Sequence, residues 1–370
     1  MTAGFTPPPY PYDRLDAFKS IASAHEGGIV DLSIGDPFDP PPAVVIEALA
    51  TSASERSYPA SIGFPAYREA AMGWMERELG VSVGAKEIAA CIGSKEFVAG
   101  LPHWLRLRSP DRDTVLYPAI SYPSYAMGAE LAGARAVPVP VTGDGRSDLD
   151  AIDPADAARA LCLWVNSPGN PTGHLDDLEA AAKWGRAHNV PVISDECYVE
   201  FTWDGPGRTI LEHGLDGVLA VHSLSKRSNL AGVRAGFYAG DGDLVHYLSE
   251  LRKHAGFMVP GPVQAAAVAA WNDQAHVDVQ RRVYLERLEL FRNVLAGIGV
   301  DAPMPGGAFY LWAAAPEGDS WALVERLAAE GGALVSAGEF YGLEGSDFIR
   351  VAVVQSIERL ELVGRRLGVL

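Results

Sequence analysis

Three groups of polar residues follow apolar runs that are typical of buried strands, namely residues 166–173, 194–198 and 223–226. Of the six lysines in the chain, only Lys226 follows such a run with serines three and one positions before it. A lysine amine can attack a carbonyl carbon and form a Schiff base, and a carboxylate such as Asp195 can stabilise a neighbouring cation. The types and spacing of these residues therefore indicate carbonyl and amine chemistry centred on Lys226 and Asp195.

Regular elements must bring these groups together. Between residues 85 and 240, short β-branched apolar runs alternate with segments of helical period, which is typical of a parallel sheet covered by helices. The predicted strands are residues 88–92, 114–117, 161–165, 190–193, 218–222 and 235–239, and the clearest predicted helix is 175–189. Because ligands of such sheets lie beyond the carboxyl ends of the strands, the three polar groups are expected to meet at one edge.

The chain is long enough for two domains, since 370 residues exceed the length at which one core usually divides. Residues 262–297 are predicted as a long helical stretch, and residues 306–370 as short strands and helices. We therefore expect an N-terminal arm at 1–44 that joins the small domain, a large domain at 45–264 and a small C-terminal domain at 265–370. Prolines in the first forty residues predict that the arm is extended and is not a core element.

Composition argues against several classes of partner. The net charge of −17 would repel the phosphates of nucleic acids and anionic lipids, so neither is an expected partner. The three cysteines are far apart and lack metal-ligand spacing, which indicates a reduced protein without a metal site. No apolar stretch approaches the length of a membrane span, so we expect a cytoplasmic protein.

Enzymes that use pyridoxal phosphate (PLP) require a lysine for the Schiff base, an acid beside the pyridine nitrogen and donors for the phosphate. Ser223, Ser225 and Lys226, with Arg234 eight residues later, resemble the lysine motif of fold-type I, class I/II aminotransferases, and the resemblance extends throughout the chain. It implies a three-layer α/β/α large domain with a mostly parallel sheet, plus a smaller α+β C-terminal domain. It also implies that Lys226 binds PLP and shuttles a proton, while Ser223, Ser225 and Arg234 hold the phosphate.

The same resemblance assigns further residues to the cofactor. The expected contacts are those of Asp195 with the pyridinium, of Asn170 and Tyr198 with the phenolic oxygen, and of Tyr122 with the ring face. A strand, then Gly93 and Ser94, then a helix from about Lys95 would direct free backbone amides at the phosphate. Ser94 and Lys95 are therefore cofactor-binding candidates, and the Lys95 side chain itself is expected to be exposed. The catalytic candidates are Lys226, Asp195 and Tyr198.

Three more residues concern the substrate and the assembly. Arg350 stands within an apolar run, and burial of its charge costs free energy unless a carboxylate pairs with it. The family uses such an arginine for the substrate α-carboxylate. The resemblance implies that Asn170 also contacts the substrate and that the backbone at Gly35 closes over the same carboxylate. Tyr58 matches a tyrosine that reaches across a dimer interface to the neighbouring phosphate, which implies a homodimer with shared active sites.

Residues 222–236 and 252–264 resemble the actinobacterial type of N-succinyldiaminopimelate aminotransferase, which serves diaminopimelate and lysine biosynthesis. This resemblance implies glutamate as amino donor and a keto acid as acceptor. Such a substrate has a distal carboxylate, for which Arg227, Lys253 and His254 are basic candidates. Aspartate, aromatic and broad-range aminotransferases remain alternatives, as does a PLP-dependent carbon-sulfur β-lyase.

Two other classes are less well supported by the residues. A transcription regulator with an aminotransferase-like domain would carry an added DNA-binding module, whereas this acidic chain starts with a proline-rich arm. A nicotinamide dehydrogenase would need a Gly-x-Gly-x-x-Gly motif after a strand, and no such motif stands there.

Overall fold

A computed structural model of the chain describes residues 5–370, so the first four residues of the predicted arm lie outside the described residues. The helices are α1 Asp16–Ser23, α2 Ala43–Thr51, α3 Pro65–Trp74, α4 Ser94–Arg108, α5 Ser124–Leu131, α6 Pro154–Arg159, α7 Leu178–His188, α8 Leu224–Arg227, α9 Gly242–Ala255, α10 Gly261–Asn272, α11 Ala275–Gly297, α12 Ser320–Gly331 and α13 Ile357–Arg366. The strands are β1 Val30–Asp31, β2 Ile88–Cys91, β3 Thr114–Pro118, β4 Arg135–Val139, β5 Ala160–Asn166, β6 Val192–Asp195, β7 Val218–Ser223, β8 Gly236–Gly240, β9 Tyr310–Ala314, β10 Ala333–Leu334, β11 Ser336–Ala337 and β12 Phe348–Ala352.

The main sheet of the described chain has seven strands in the order β2-β8-β7-β6-β5-β3-β4. Strand β8 runs in the opposite direction to the other six, which all run in one direction. Helices cover both faces, with α3, α7 and α10 in one apolar core and α4, α5 and α9 in the other. The predicted α/β fold with a mostly parallel sheet is therefore confirmed.

The predicted strands are confirmed with small shifts at their ends, because buried parallel strands are apolar along their whole length. All seven residues of β5 are buried, for example. The edge strand β4 was missed because its residues are mostly exposed or half-buried and it contains Pro138, which edge positions tolerate. The predicted helix at 175–189 begins later, at Leu178, where the Asp177 side chain accepts a hydrogen bond from the Ala180 amide.

The long helical stretch predicted at 262–297 is two helices, α10 and α11, separated at Asp273 and Gln274. The first packs against α2 and α3, and its Trp271 lies in a core of the main sheet. The second places Tyr284, Leu288 and Phe291 in a separate core built around the C-terminal strands. The polypeptide therefore passes from one core to another close to this junction, and the domain boundaries at residues 44 and 264 stay predictions.

The core around the C-terminal strands includes the N-terminal segment. Strands β11, β12 and β9 form an antiparallel sheet, and β1 pairs in parallel with β10. Leu15, Val30 and Leu32 are buried there, and residues 16–23 form the helix α1. The prediction of an extended arm outside the core is therefore wrong, because apolar residues between the prolines and the β1 pairing anchor the segment against the C-terminal part.

Across residues 5–370, no helix combines the length and the apolar character needed to cross a lipid bilayer.

Candidate active site

A cavity of about 300 Å³ opens at the carboxyl edge of the main sheet. Most of the predicted site residues line it, and these are Gly35, Ser94, Lys95, Tyr122, Asn170, Asp195, Tyr198, Ser225, Lys226, Arg234 and Arg350. Two predicted residues do not line it, namely Ser223, which is buried beneath Ser225, and Tyr58, which is 95% exposed. The cavity is thus lined by residues from the strand ends, the start of α4, the N-terminal segment and β12.

Lys226 lies in the short helix α8, where the Ser223 side chain accepts a hydrogen bond from the Ser225 amide at 3.1 Å. Its amine donates a hydrogen bond to the carbonyl oxygen of Gly35. Burial lowers the pKa of Lys226 to about 8, and the nearby cations Arg350 and Arg234 act in the same direction. A sizeable fraction of this amine is therefore neutral, and able to act as a nucleophile or base, near neutral pH.

Asp195 ends β6 and is almost completely buried. The Tyr125 hydroxyl donates to its Oδ2 at 3.0 Å, and the Cys197 amide donates to its Oδ1 at 3.3 Å. Burial raises the pKa of Asp195, although these hydrogen bonds work against the rise. A cation placed against this carboxylate would stabilise its charged form, so the site suits a cationic ring nitrogen.

An anion cradle forms at the start of α4. Gly93 precedes the helix with a φ of 74°, and Ser94 begins it, so free backbone amides face the cavity. The Arg234 guanidinium packs so closely that a Cβ added to Gly93 would lie 2.4 Å from Nη2. Arg234 also donates to Ser225 Oγ at 3.4 Å, and Ser223 Oγ donates to Ser225 Oγ at 2.9 Å. Ser223 therefore acts on the cradle only through Ser225.

Arg350 lies on β12 and is 2% exposed. It donates to Asn170 Oδ1 at 2.8 Å and to the carbonyl oxygen of Ser33. Its guanidinium lies over the rings of Tyr310 and Tyr341, at 4.4 and 4.7 Å from their centroids. Within residues 5–370 no carboxylate forms an ion pair with Arg350, so this buried cation is suited to an anion from outside the chain.

The sequence prediction gave no individual role to several residues of the cavity, namely Asn166 and Cys197 of the predicted polar groups, and Tyr10, Tyr12, Tyr125 and Tyr310. Asn166 ends a predicted strand, and its side chain donates to the Asp195 carbonyl at 2.7 Å while accepting from the Asn170 amide at 2.8 Å. Tyr125 stands one helical turn after Tyr122, which was a usable signal. Tyr198 and Tyr310 share a hydrogen bond between their hydroxyls at 2.7 Å, and Phe309 is buried in the core.

The Lys95 side chain is exposed, as predicted, yet it borders the cavity. Its Nζ lies 5.7 Å from the ring centroid of Tyr10 and 5.9 Å from that of Tyr122. Partial burial alone would lower the pKa of Lys95. The hydroxyls of Tyr122 and Tyr10 raise this pKa by more, so it lies above the usual value for a lysine. The amine is therefore a cation at the rim of the cavity, a role that the sequence prediction did not give to this side chain.

The three basic residues suggested for a distal carboxylate do not line this cavity. Arg227 is 2% exposed and pairs with Glu200, with 3.0 Å between Nε and Oε1. Lys253 and His254 are exposed in the last turn of α9. Arg227 therefore lies in a different buried cluster, and a role of Lys253 or His254 towards a distal carboxylate stays a prediction.

The sequence pattern of the family "Aminotransferase class I and II" matches residues 27–367. The chain belongs to this family. The aminotransferase is 40% identical over 368 residues to the 4-dedimethylamino-4-oxo-anhydrotetracycline transaminase OxyQ of Streptomyces rimosus, covering 97% of this chain and 99% of the relative. It is 34% identical over 367 residues to the LL-diaminopimelate aminotransferase of Desulforudis audaxviator, covering 95% and 93%.

Among solved structures, the aminotransferase is similar to a protein from Thermus thermophilus described as a probable N-succinyldiaminopimelate aminotransferase. The TM-score is 0.87 at 31% sequence identity, and the likeness covers 97% of this chain and 100% of that one. The family depends on PLP. The residues of the cavity fit this cofactor, because a phosphate-sized cradle, a buried carboxylate and an accessible amine open into one space.

Proposed function

We propose that this aminotransferase is an N-succinyl-LL-2,6-diaminopimelate:2-oxoglutarate aminotransferase of lysine and diaminopimelate biosynthesis. One observation carries the proposal. Arg350 in the depth of the cavity and Lys95 at its rim are two cations without an ion-pair partner among residues 5–370. A substrate with an α-carboxylate and a second, distal carboxylate complements both charges.

The relatives support a substrate of this kind. One similar curated protein is named for LL-diaminopimelate, and one similar structure is described as acting on N-succinyldiaminopimelate. Both compounds carry carboxylates at two ends of the molecule. We infer that Arg350, with its planar fork, receives the α-carboxylate and that Lys95 attracts the distal one.

The proposed roles of the remaining residues follow from their contacts. When bound, PLP withdraws electrons from the substrate α-carbon. Asp195 would hold a proton on the ring nitrogen, and Tyr125 would keep that carboxylate oriented through its 3.0 Å hydrogen bond. The neutral Lys226 amine would accept the proton from the substrate α-carbon and return it to C4′ of the cofactor. The anion cradle of Ser94, Ser225 and Arg234 would hold the phosphate.

Asn170 and Tyr198 line the cavity, and Asn170 also contacts Arg350. We propose that both residues would hydrogen-bond the phenolic oxygen of the cofactor. The ring of Tyr122 lines the same cavity and is the proposed stacking partner. We further propose a cytoplasmic homodimer in which Tyr58, 95% exposed in one chain, reaches the phosphate of the partner's site.

A second candidate substrate is the tetracycline-type ketone in the name of the relative that is 40% identical. The rim of the cavity carries the rings of Tyr10, Tyr12 and Tyr122, which could pack against a planar ring system. Such a substrate would not require Lys95. Amination of 4-dedimethylamino-4-oxo-anhydrotetracycline with a rate that exceeds that of every dicarboxylate would favour it.

The substrate assay compares acceptors with glutamate as donor. We expect the highest kcat/KM with N-succinyl-2-amino-6-ketopimelate, ahead of oxaloacetate and phenylpyruvate. The reverse reaction with LL-diaminopimelate and 2-oxoglutarate tests the activity named for the curated relatives. Preference for oxaloacetate, for phenylpyruvate or for LL-diaminopimelate overturns the narrower assignment, and release of pyruvate from cystathionine without an acceptor indicates a β-lyase.

A variant tests the two-cation argument directly. Lys95→Met is expected to raise the KM of the succinylated substrate on the order of tenfold while leaving phenylpyruvate unaffected, because a single charge-assisted contact is lost. Lys183→Met is the matched control, since that lysine is exposed on α7 and pairs with Glu179. Equal effects of Lys95→Met on both substrates would contradict the role of Lys95.

A further inference from the structure

Arg227 directly follows Lys226 and is 2% exposed. The helix that carries both residues, α8, has four residues, and a single helical turn is not stable by itself. The position of the Lys226 backbone therefore depends on the contacts that hold α8 in place. The capping hydrogen bond that the Ser223 side chain accepts from the Ser225 amide fixes the start of this turn, and Arg227 stands at its end.

The Arg227 guanidinium is held from several directions. Its Nη1 donates to the Ala270 carbonyl at 2.7 Å, and its Nη2 donates to Gln274 Oε1 at 2.8 Å. Its Nε donates to Glu200 Oε1 at 3.0 Å, while the rings of Trp74 and Trp271 lie 5.7 and 5.2 Å from its central carbon. The planar fork of arginine is suited to such a multidirectional contact, which a lysine could not reproduce.

Glu200 extends this network towards the cavity. It lies in the 3-10 turn Val199–Phe201, which follows Tyr198 directly. Its carboxylate also accepts hydrogen bonds from Trp74 Nε1 at 2.6 Å and from Gln274 Nε2 at 3.1 Å. One buried ion pair therefore joins the turn after Tyr198 to the turn that carries Lys226.

The third component is the junction between α10 and α11. Ala270 belongs to α10, which packs in a core of the main sheet, and Gln274 precedes α11, which packs in the C-terminal core. His276 reinforces the junction, because its ring bonds Asp273 Oδ2 at 3.0 Å and Ser228 Oγ at 2.9 Å. Arg227 thus contacts the α10–α11 junction, where the chain passes from the core of the main sheet to the C-terminal core.

We propose that Arg227 is a positioning residue, which clamps the turn of Lys226 to Glu200 and to the α10–α11 junction and so fixes the approach of the Lys226 amine to the substrate α-carbon. This inference rests on the proposed role of Lys226 as the proton-transferring base. Arg227 does not line the cavity, so it would act on Lys226 through the backbone of α8 and not by contact with the reacting atoms.

The proposed effect of Arg227 on the α8 turn is tested first in the absence of cofactor. Hydrogen exchange of the apoenzyme, followed by mass spectrometry, is measured for wild type, Arg227→Met and Arg287→Met. Arg287 is the matched control, because it is also buried and paired, with 2.6 and 2.7 Å to Asp39, but contacts neither α8 nor Glu200. We expect faster exchange in residues 224–228 and 270–276 for Arg227→Met alone.

The second test measures proton transfer in the PLP-loaded enzyme with α-deuterated glutamate. Misplacement of a catalytic group slows its step on the order of 10- to 100-fold, so Arg227→Met should lose that much kcat per bound cofactor. The deuterium isotope effect should increase, with little change in KM, and Arg227→Lys should show an intermediate loss. Arg287→Met should stay within about twofold of wild type, since its α8 turn is intact.

Glu200→Gln, which keeps the acceptor for Arg227 but removes the charge, is measured in parallel and decides the question if Arg227→Met does not fold. A folded, PLP-loaded Glu200→Gln or Arg227→Met protein with wild-type exchange in residues 224–228 and a wild-type isotope effect overturns the inference. Failure of the proposed role of Lys226 is distinguishable, because Lys226→Ala would then release the α-deuteron of glutamate at the wild-type rate, whatever the result for Arg227→Met.

Discussion

The low pKa of Lys226 leads to a quantitative prediction about cofactor capture. Burial and the neighbouring cations disfavour the charged amine, so its pKa falls from 10.5 to about 8. The neutral form dominates above the pKa, and it is the form that attacks the PLP aldehyde. At pH 7 about one tenth of the Lys226 amines would be neutral, against about 3 in 10,000 for an ordinary lysine, an advantage of about 300-fold.

The assay mixes apoenzyme with excess PLP in a stopped-flow instrument and follows the visible absorbance between pH 7 and pH 10. The rate should rise about fivefold from pH 7 to pH 8 and then approach a plateau, whereas an ordinary lysine would gain about tenfold per pH unit up to pH 10. The PLP phosphate is already a dianion over this range, since its second pKa is about 6. Capture by free Nα-acetyl-lysine in the same buffers provides the reference slope.

A variant separates the causes of the shift. Arg350→Met removes one cation that lowers the Lys226 pKa, so its midpoint should move above that of the wild type. Burial is the largest cause, however, and the midpoint should stay below 10.5. A wild-type rate that continues to rise tenfold per pH unit to pH 10, with the fold intact by circular dichroism, would refute the assignment of Lys226 as a buried, readily neutralised amine.

Three further outcomes are expected. Asp195→Asn should lower kcat on the order of 100- to 1,000-fold in single-turnover experiments with glutamate, because a neutral amide cannot hold charge on the ring nitrogen; a loss below about fivefold would contradict this role. Arg350→Lys should lower kcat/KM for glutamate on the order of 10- to 100-fold, since one of two parallel hydrogen bonds is lost, and an unchanged value would remove Arg350 from the substrate site. Tyr58→Phe should weaken PLP binding about tenfold in equilibrium dialysis, and equal affinity in both proteins would argue against a shared site.

The sequence by itself determined the local structure of the site. The apolar run at residues 161–165 predicts a buried strand, and the polar residues after it can only lie at its carboxyl end. The pairing of β5 with β6 then places Asn166 beside Asp195, as expected for neighbouring parallel strands. Lys226 was found in the same way, because it is the one lysine of the sequence that closely follows a buried strand with serines three and one positions before it.

Only the tertiary structure decided contacts between distant segments. Arg350 and Asn170 are 180 residues apart, and Tyr12 reaches Tyr341 over 329 residues. The sequence offered Arg227 as a candidate for the distal carboxylate, but the packing of Trp74 and Trp271 buries it in another cluster. Periodicity encodes which face of an element is apolar, whereas the partner of that face depends on the summed packing of many weak contacts. For that reason the prolines of the N-terminal segment suggested an extended arm, and only the fold shows that Leu15, Val30 and Leu32 are buried in the core around the C-terminal strands.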